Sequence, residues 1–166
     1  MALTKVQADG INLTDTFAFT GTVSGAGGEN VPAFQARRIT SSQSISASTW
    51  TKVQYNGEIF DTDSCYDHTT NYRFTPNVAG KYYIYASVYT GIPNTHHYAN
   101  LAFNGTHTTT GTVDISQGGH CFVANIFEFN GSTDYVEVET FQGTSAGNVD
   151  ASGQNSLFGG YKLIGV

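Results

Sequence analysis

Apolar and polar residues alternate with a period of two along most of this chain, a pattern that predicts β-strands rather than helices. The longest such run is 80–90, and short turns rich in Asn, Gly and Pro separate it from its neighbours. No segment shows a helical period. We predict strands at 33–39, 50–55, 58–61, 71–75, 80–90, 97–103, 120–129, 134–142 and 157–165. Such a succession of short strands is typical of a β-sandwich or barrel.

Two of the predicted strands, 80–90 and 120–129, are apolar on both faces. Aromatic rings on the outer face of a sheet need a cover, which is either a loop of the same chain or a neighbouring subunit. Having two such strands in one small chain favours the subunit. We therefore expect a homo-oligomer whose interface includes Tyr83, Tyr85, Tyr89 and Phe127.

The run 134–142 has the simpler pattern of a strand with one face in the core and the other face exposed to solvent. Val136 and Val138 point to one face, whereas Glu137 and Glu139 point to the other. We predict that the two valines are buried and that the two glutamates face water. Phe74, Tyr82 and Phe158 complete the predicted core.

Composition agrees with an all-β protein and argues against several other classes. The 166 residues fit one domain, and the 19 Gly, 11 Phe and 10 Tyr favour sheets. A net charge of −6 with seven Lys and Arg lacks the basic footprint of a nucleic-acid binder. No apolar run approaches the length of a membrane span, and we expect no secretory signal at the N-terminus.

The first thirty residues differ from the remainder of the chain. Ile11, Leu13, Phe17 and Phe19 give one apolar edge to an isolated strand, and a Gly-rich stretch follows at 21–30. A lone strand is marginal unless something pairs with it. We therefore divide the chain into an extended docking arm at 1–30 and a folded head at 31–166.

Three carboxylates in one predicted loop are candidates for a metal site. Asp61, Asp63 and Asp67 have spacings that could surround a calcium ion, but the loop lacks the Gly and the closing Glu of an EF-hand. A solvated acidic turn explains the same residues. We expect no cofactor.

The remaining reactive residue types indicate no catalytic site. His68, His96, His97, His107 and His120 are interpreted as residues of surface loops. Cys65 and Cys121 are interpreted as small, partly buried hydrophobic residues, and a disulfide between them stays open. No G-x-S-x-G, H-E-x-x-H or P-loop motif occurs, so we expect no enzyme.

Aromatic and glycine residues also recur at spacings typical of one known family. The motif positions are filled by Tyr55, Asp61, Tyr66, Phe74, Gly80 and Tyr82, with Phe158 opening the last strand and Asn104-Gly105-Thr106 forming a hairpin. In these features residues 33–165 resemble the globular heads of the complement q subcomponent, a family related to the tumour necrosis factor ligands. The chain departs from the pattern at Tyr55, where Phe is usual, and by one extra residue between Tyr66 and Phe74.

This resemblance implies an all-β, ten-strand jelly-roll sandwich that assembles as a tight homotrimer. It does not imply the complement function, because one fold hosts many functions. Residues 10–27 resemble segments of bacteriophage tail-fibre and other virion proteins. That second resemblance implies a virion protein assembled in the bacterial cytoplasm, where cysteines stay reduced.

Together the two resemblances predict a bacteriophage structural protein, a trimeric head that docks through its N-terminal arm. Its partners would be other capsid or tail proteins. The head would either attach the particle to a host surface glycan or protein, as a short tail fibre does, or decorate and cement the capsid. The alternative is a secreted lectin-like or ligand-type binding domain of a cellular organism.

Overall fold

A computed structural model describes residues 29–91, 95–115, 118–151 and 156–165 of the chain. Within these ranges all the regular structure is β, and no helix is present that could cross a membrane. The strands are β1 (Ala33–Arg37), β2 (Gln43–Ile45), β3 (Thr51–Lys52), β4 (Gly57–Asp61), β5 (Tyr66–Asp67), β6 (Arg73–Phe74), β7 (Gly80–Thr90), β8 (Thr95–Phe103), β9 (Thr106–Ile115), β10 (Gly119–Phe129), β11 (Val136–Gln142), β12 (Gly147–Val149) and β13 (Leu157–Lys162).

The strands form two antiparallel sheets. In sheet A, β7 is the central strand: β10 pairs with it along its whole length, and β13, β1 and β4 follow on the other side. The short β12 and β2 extend the same sheet at the end of β7. In sheet B, β11 pairs with β8, which pairs with β9, while β3 and β6 share the other edge of β11 and β5 follows β6.

Aromatic rings hold the two sheets together. Phe34 of sheet A stacks on Phe74 and Tyr66 of sheet B, with ring centroids 4.3 and 5.0 Å apart, and meets Phe158 edge-on at 4.9 Å. Such rings bury large apolar areas and prefer these geometries. The predicted core is confirmed, because the side chains of the following residues are fully buried: Phe74, Tyr82, Val136, Val138 and Phe158.

The free edges of the two sheets meet where β9 lies beside β10. The side-chain amide of Asn125 on β10 donates a hydrogen bond to the Thr109 hydroxyl on β9 over 2.6 Å. On the inner side, Phe103 of β8 stacks on Phe127 of β10 with ring centroids 5.2 Å apart. These contacts close one side of the sandwich and cover edges that would otherwise pair with other chains.

Strand β9 was not among the predicted strands. In its sequence, THTTTGTVDI, apolar and polar residues hardly alternate, so the period-two pattern does not predict a strand there. Thr has a high β-propensity, and β8 supplies the backbone partners for the strand. The hairpin at Asn104-Gly105 was predicted, and both residues adopt the positive φ that such a two-residue turn requires.

The predicted all-β jelly-roll class is confirmed, although the short strands raise the strand number above ten. The extra elements are pairings of two or three residues, such as β2 with β12 and β5 with β6. The arm residues Ile11, Leu13, Phe17 and Phe19 lie outside the described residues, so the division at residue 30 stays a prediction.

Replacing Phe74 with Ala should destabilise the head by roughly 3–5 kcal/mol, because it removes a fully buried ring from the stack between the sheets. Denaturant unfolding measures this change in the free energy of unfolding. Phe60→Ala is the matched control, since Phe60 is half-exposed on the edge strand β4. A loss below about 1 kcal/mol for Phe74→Ala would mean that the stack does not hold the sheets together.

Candidate functional site

The predicted motif residues are structural. The hydroxyl of Tyr55 donates to the Ser87 carbonyl over 3.1 Å, and the hydroxyl of Tyr66 donates to the Tyr55 carbonyl over 3.0 Å. Burial raises the pKa of both phenols well above the usual value. Both groups therefore stay neutral as donors that tie loops to the core.

The last two motif residues, Gly80 and Tyr82, lie at the start of β7. The hydroxyl of Tyr82 donates to the Val78 carbonyl over 2.7 Å, and burial raises the pKa of Tyr82 to about 12. Gly80 opens the strand with a φ of 143°, a conformation that L side chains rarely adopt. The Gly-x-Tyr motif therefore encodes a backbone turn and its anchor.

In the acidic loop, the carboxylates of Asp61 and Asp67 accept hydrogen bonds from backbone amides of the same loop. Asp61 accepts a hydrogen bond from the Tyr66 amide at 2.7 Å and one from the Asp63 amide at 3.3 Å. Asp67 accepts from the amides of Thr69, Thr70 and Asn71. These hydrogen bonds keep the pKa of Asp67 well below its usual value, against the opposing effect of partial burial.

No group of three metal-ligating side chains occurs within the described ranges. Asp61, Asp63 and Asp67 are in one loop, as predicted, but their oxygens serve separate turns. Asp63, for example, accepts a hydrogen bond from the Thr62 hydroxyl over 2.6 Å. These hydrogen bonds stabilise the acidic turn, and the calcium site stays a prediction.

The outer face of sheet A, meaning the face turned away from sheet B, carries the predicted aromatic row. Tyr83, Tyr85 and Tyr89 are all half-buried there and alternate with the core residues of β7. The rings of Tyr83 and Tyr85 lie 6.1 Å apart, and Tyr161 of β13 lies 5.8 Å from Tyr83. The Gln35 amide donates to the Tyr85 hydroxyl over 2.7 Å and fixes its position.

On β10 the assignment of Phe127 to this outer face is wrong. Its side chain is only 8% exposed and stacks on Phe103 in the core. The outward residues of β10 are Phe122 and Ile126, which are 58% and 53% exposed. Since side chains alternate along a strand, a shift by one residue moves the apolar position to the opposite face. The strand is apolar on both sides, so the pattern alone did not show which residues face out.

The register brings these residues into one continuous patch, which we call the A face. Ile126 pairs with Tyr83, and Tyr83 also pairs with Tyr161 on its other side. Phe122 pairs with Ser87, and His120 pairs with Tyr89, with its ring 4.8 Å away. The A face therefore spans β10, β7 and β13, and its exposed surface is largely aromatic and aliphatic.

A polar cleft borders the A face at the far end of β7. Ser42, Tyr89, Gly91, Asn148 and Asp150 line it. The Asp150 amide donates to the Tyr89 carbonyl over 3.2 Å, which ties the cleft wall to the strand. The cleft offers hydroxyl, amide and carboxylate groups beside one aromatic ring.

On the outer face of sheet B, Glu137 and Glu139 occupy the predicted polar positions, but they are not equally exposed to solvent. Glu137 is buried, and Lys52 of β3 covers it, with its ammonium nitrogen 2.6 Å from the carboxylate oxygen. Glu139 is partly exposed and pairs with His107 of β9. Glu137 was predicted to face water, and it is buried because the short strand β3 places Lys52 beside β11.

The interpretation of the histidines as loop residues is wrong for four of them. His96 and His97 lie in β8, His107 lies in β9 and His120 lies in β10. His97 is completely buried, and its Nε2 lies 2.9 Å from the Thr140 hydroxyl. That hydroxyl donates to the Tyr98 carbonyl, so the imidazole is the donor to Thr140. Burial lowers the pKa of His97 to about 4.

The two cysteines are both buried and unpaired. Burial raises the pKa of each thiol, which keeps the group protonated and unreactive. Cys65 and Cys121 are therefore apolar core residues in this structure.

The fold of this chain is similar to the jelly-roll folds of solved tumour necrosis factor ligands and of a complement head. Murine APRIL at pH 5.0 superposes with a TM-score of 0.63 at 12% identity, covering 79% of this chain and 98% of that chain. The globular domain of zebrafish complement 1qA gives 0.60 at 17%, covering 80% and 97%. Eiger TNF from S. frugiperda gives 0.57 at 14%, covering 79% and 91%. No protein-family model and no curated protein sequence matches the chain.

Stability should fall as the pH drops from about 6.5 to about 4, because His97 is neutral in the folded head and becomes protonated once unfolded. A lowered folded-state pKa gives stability that is complete above the unfolded pKa and is lost as the pH falls through the folded pKa. Denaturant unfolding across this range measures the loss. His97→Gln, which keeps a donor for Thr140, should have the flatter profile, and parallel profiles for the two proteins would contradict this assignment.

Proposed function

We propose that this chain is the subunit of a homotrimeric binding head carried on bacteriophage particles. The exposed apolar A face is the observation that supports self-assembly. Phe122, Ile126 and Tyr161 are exposed on it beside half-buried tyrosines. A contiguous apolar patch of this kind is rare on a monomer and marks an interaction surface. Tyr suits it, because the ring contributes apolar area and the hydroxyl stays solvated or hydrogen-bonded.

A trimer covers the A face with copies of the same chain. A contact between different surfaces of two subunits closes into a ring when the rotation is a third of a turn, and then no copy keeps the face in water. The fold shared with complement heads supports this number of subunits, through the family resemblance that the motif residues carry.

The proposal that the head is part of a bacteriophage particle depends on the N-terminal arm. Ile11, Leu13, Phe17 and Phe19 give a predicted strand one apolar edge, and such an edge can add to a sheet of another protein. We propose that the arm docks the head on a capsid or tail protein. The head then serves host attachment or capsid decoration, and the chain assembles in the bacterial cytoplasm.

A second candidate is a ligand-type or lectin-like binding domain of a cellular organism. The structural likeness to murine APRIL and to Eiger TNF favours it. Both candidates require the same trimer, but only the virion protein needs the arm as a docking segment. Antibody labelling of purified phage particles in electron micrographs separates them, and it also distinguishes a capsid position from a tail position.

The isolated protein should be a trimer, with three times the 17.8 kDa chain mass by light scattering. Ile126→Glu should shift it to the monomer, because it places a charge in the centre of the A face with no partner. The far-UV circular dichroism of this variant reports whether the head still folds.

Val78→Glu is the control for this shift, since Val78 is also an exposed aliphatic residue but lies in the turn before β7. It should leave the trimer intact. A wild-type monomer of about 18 kDa, or an Ile126→Glu trimer as stable as wild type, would contradict the proposed assembly.

A protein that begins at Asn30 should remain a folded trimer but should fail to join the particle, because it lacks the docking arm. Phe17→Asp with Phe19→Asp in the full chain should give the same loss, since the two charges disrupt the apolar edge. Incorporation into particles grown without the wild-type gene measures the effect. A truncated head that folds and still incorporates would refute the docking role.

A further inference from the structure

The outer face of sheet B carries a small cluster of aromatic rings beside two polar residues, and Trp50 is its exposed apolar member. Trp50, directly before β3, is 36% exposed. Its ring lies 4.5 Å from the ring of His107 and 5.4 Å from that of Phe141. Tyr98 supports the same cluster, 5.7 Å from Phe141 and 6.3 Å from Trp50. Residues of three strands, β8, β9 and β11, therefore hold the indole in place.

Hydrogen-bonding groups surround the exposed indole. His107 packs against it edge-on and pairs with Glu139 through one carboxylate oxygen, Oε2. Within the described ranges, the other oxygen of Glu139 and the indole N–H of Trp50 make no hydrogen bond. Side-chain exposures of 38% for His107 and 22% for Glu139 leave the pair accessible to solvent. The site thus presents an aromatic surface, a donor and a charged acceptor within one small area.

These groups match the chemistry of a neutral sugar ring. One face of a pyranose carries C–H groups, which meet the negative π-face of an indole, while its hydroxyls at the rim donate and accept hydrogen bonds. A carboxylate oxygen makes the stronger, charge-assisted bond to such a hydroxyl. The imidazole fixes the carboxylate in position. An anionic sugar would instead face the charge of Glu139 at close range.

Neither a second copy of the chain nor a large protein surface fits this site as well. The apolar A face is on sheet A, whereas Trp50 lies beside β3 of sheet B, so the patch that we assign to self-assembly does not include Trp50. Among the exposed large apolar side chains of the described residues, Trp50 is the one on the outer face of sheet B, since the others lie on sheet A or in turns and ends. A protein interface needs a wider apolar centre than Trp50 with the partly buried Tyr98 and Phe141 provides, whereas the exposed indole has the size of a single sugar residue.

We infer that Trp50, His107 and Glu139 form a binding site for a neutral pyranose of a surface glycan. This deepens the proposed binding role by naming its ligand class, but the site lies within one subunit. A shallow site built on one ring binds a single sugar weakly, with a dissociation constant on the order of 1 mM. Three copies in a trimer would raise the avidity for a multivalent surface.

The chain has one tryptophan, so emission that is excited selectively from tryptophan, and not from the ten tyrosines, reports on this site alone. The probes are the methyl glycosides of glucose, galactose and mannose, and chitotriose, each to about 50 mM, far above the expected constant. We expect at least one of them to give a saturable change in Trp50 emission. Sorbitol, which has hydroxyls but no pyranose ring, and glucuronate, which is anionic, should give none.

Variants then connect the signal to the proposed contacts. Glu139→Gln keeps the fluorophore and should weaken binding about tenfold. Glu58→Gln is its matched control, because Glu58 also pairs with a histidine, His68, at 3.3 Å, but on the opposite sheet. Saturation-transfer NMR extends the test to Trp50→Ala, which should lose binding, and to Trp50→Phe, which should retain part of it. Thermal melting shows that each variant is folded.

Three results would overturn the site. The first is no saturable change with any of the four sugars, the second is an equal change with sorbitol, and the third is an unaltered affinity in both Glu139→Gln and Trp50→Ala. Light scattering on the same samples keeps the proposed trimer separate. A trimer that binds none of the sugars refutes only this site, and a monomer that binds one refutes only the assembly.

Discussion

The stack of aromatic rings around Phe34 is the contact on which the sandwich depends. Phe34 and Phe158 come from sheet A, whereas Tyr66 and Phe74 come from sheet B, and Phe34 touches the other three. The strands β5 and β6 that hold two of these rings are only two residues long, so backbone pairing alone cannot fix them. The buried rings, and the hydroxyl of Tyr66 bonded to the Tyr55 carbonyl, stabilise them instead.

That inner stack leaves the two outer faces free to differ. The A face is a wide apolar surface because β7 and β10 carry apolar residues on both of their sides. This pattern is typical of strands in a sheet that is buried on both faces. The outer face of sheet B carries charged residues and one exposed indole, Trp50. The proposed self-association surface is therefore on one sheet and the proposed ligand site is on the other.

The candidate residues show where sequence reasoning succeeds and where it stops. The outward position of Tyr83, Tyr85 and Tyr89 could be predicted, because Ile84, Ala86 and Val88 on the opposite face of the same strand are aliphatic or small. Phe127 could not, since both faces of β10 are apolar and alternation gives no direction there. Phe34, the centre of the core, was within a predicted strand but had no local feature to distinguish it from other aromatic residues.

The sequence by itself determined the all-β class, most of the long strands, the buried set that includes Phe74 and Tyr82, and the Asn104-Gly105 hairpin. These follow from local rules: alternation, turn chemistry and residue propensity. Only the tertiary structure decided that His97 is buried, that Lys52 covers Glu137, and that Trp50 meets His107, which pairs with Glu139. Those contacts join residues far apart in the chain, and they depend on which strands become neighbours. Local patterns carry no information about that choice, because the pairing energy lies in the packed sheets.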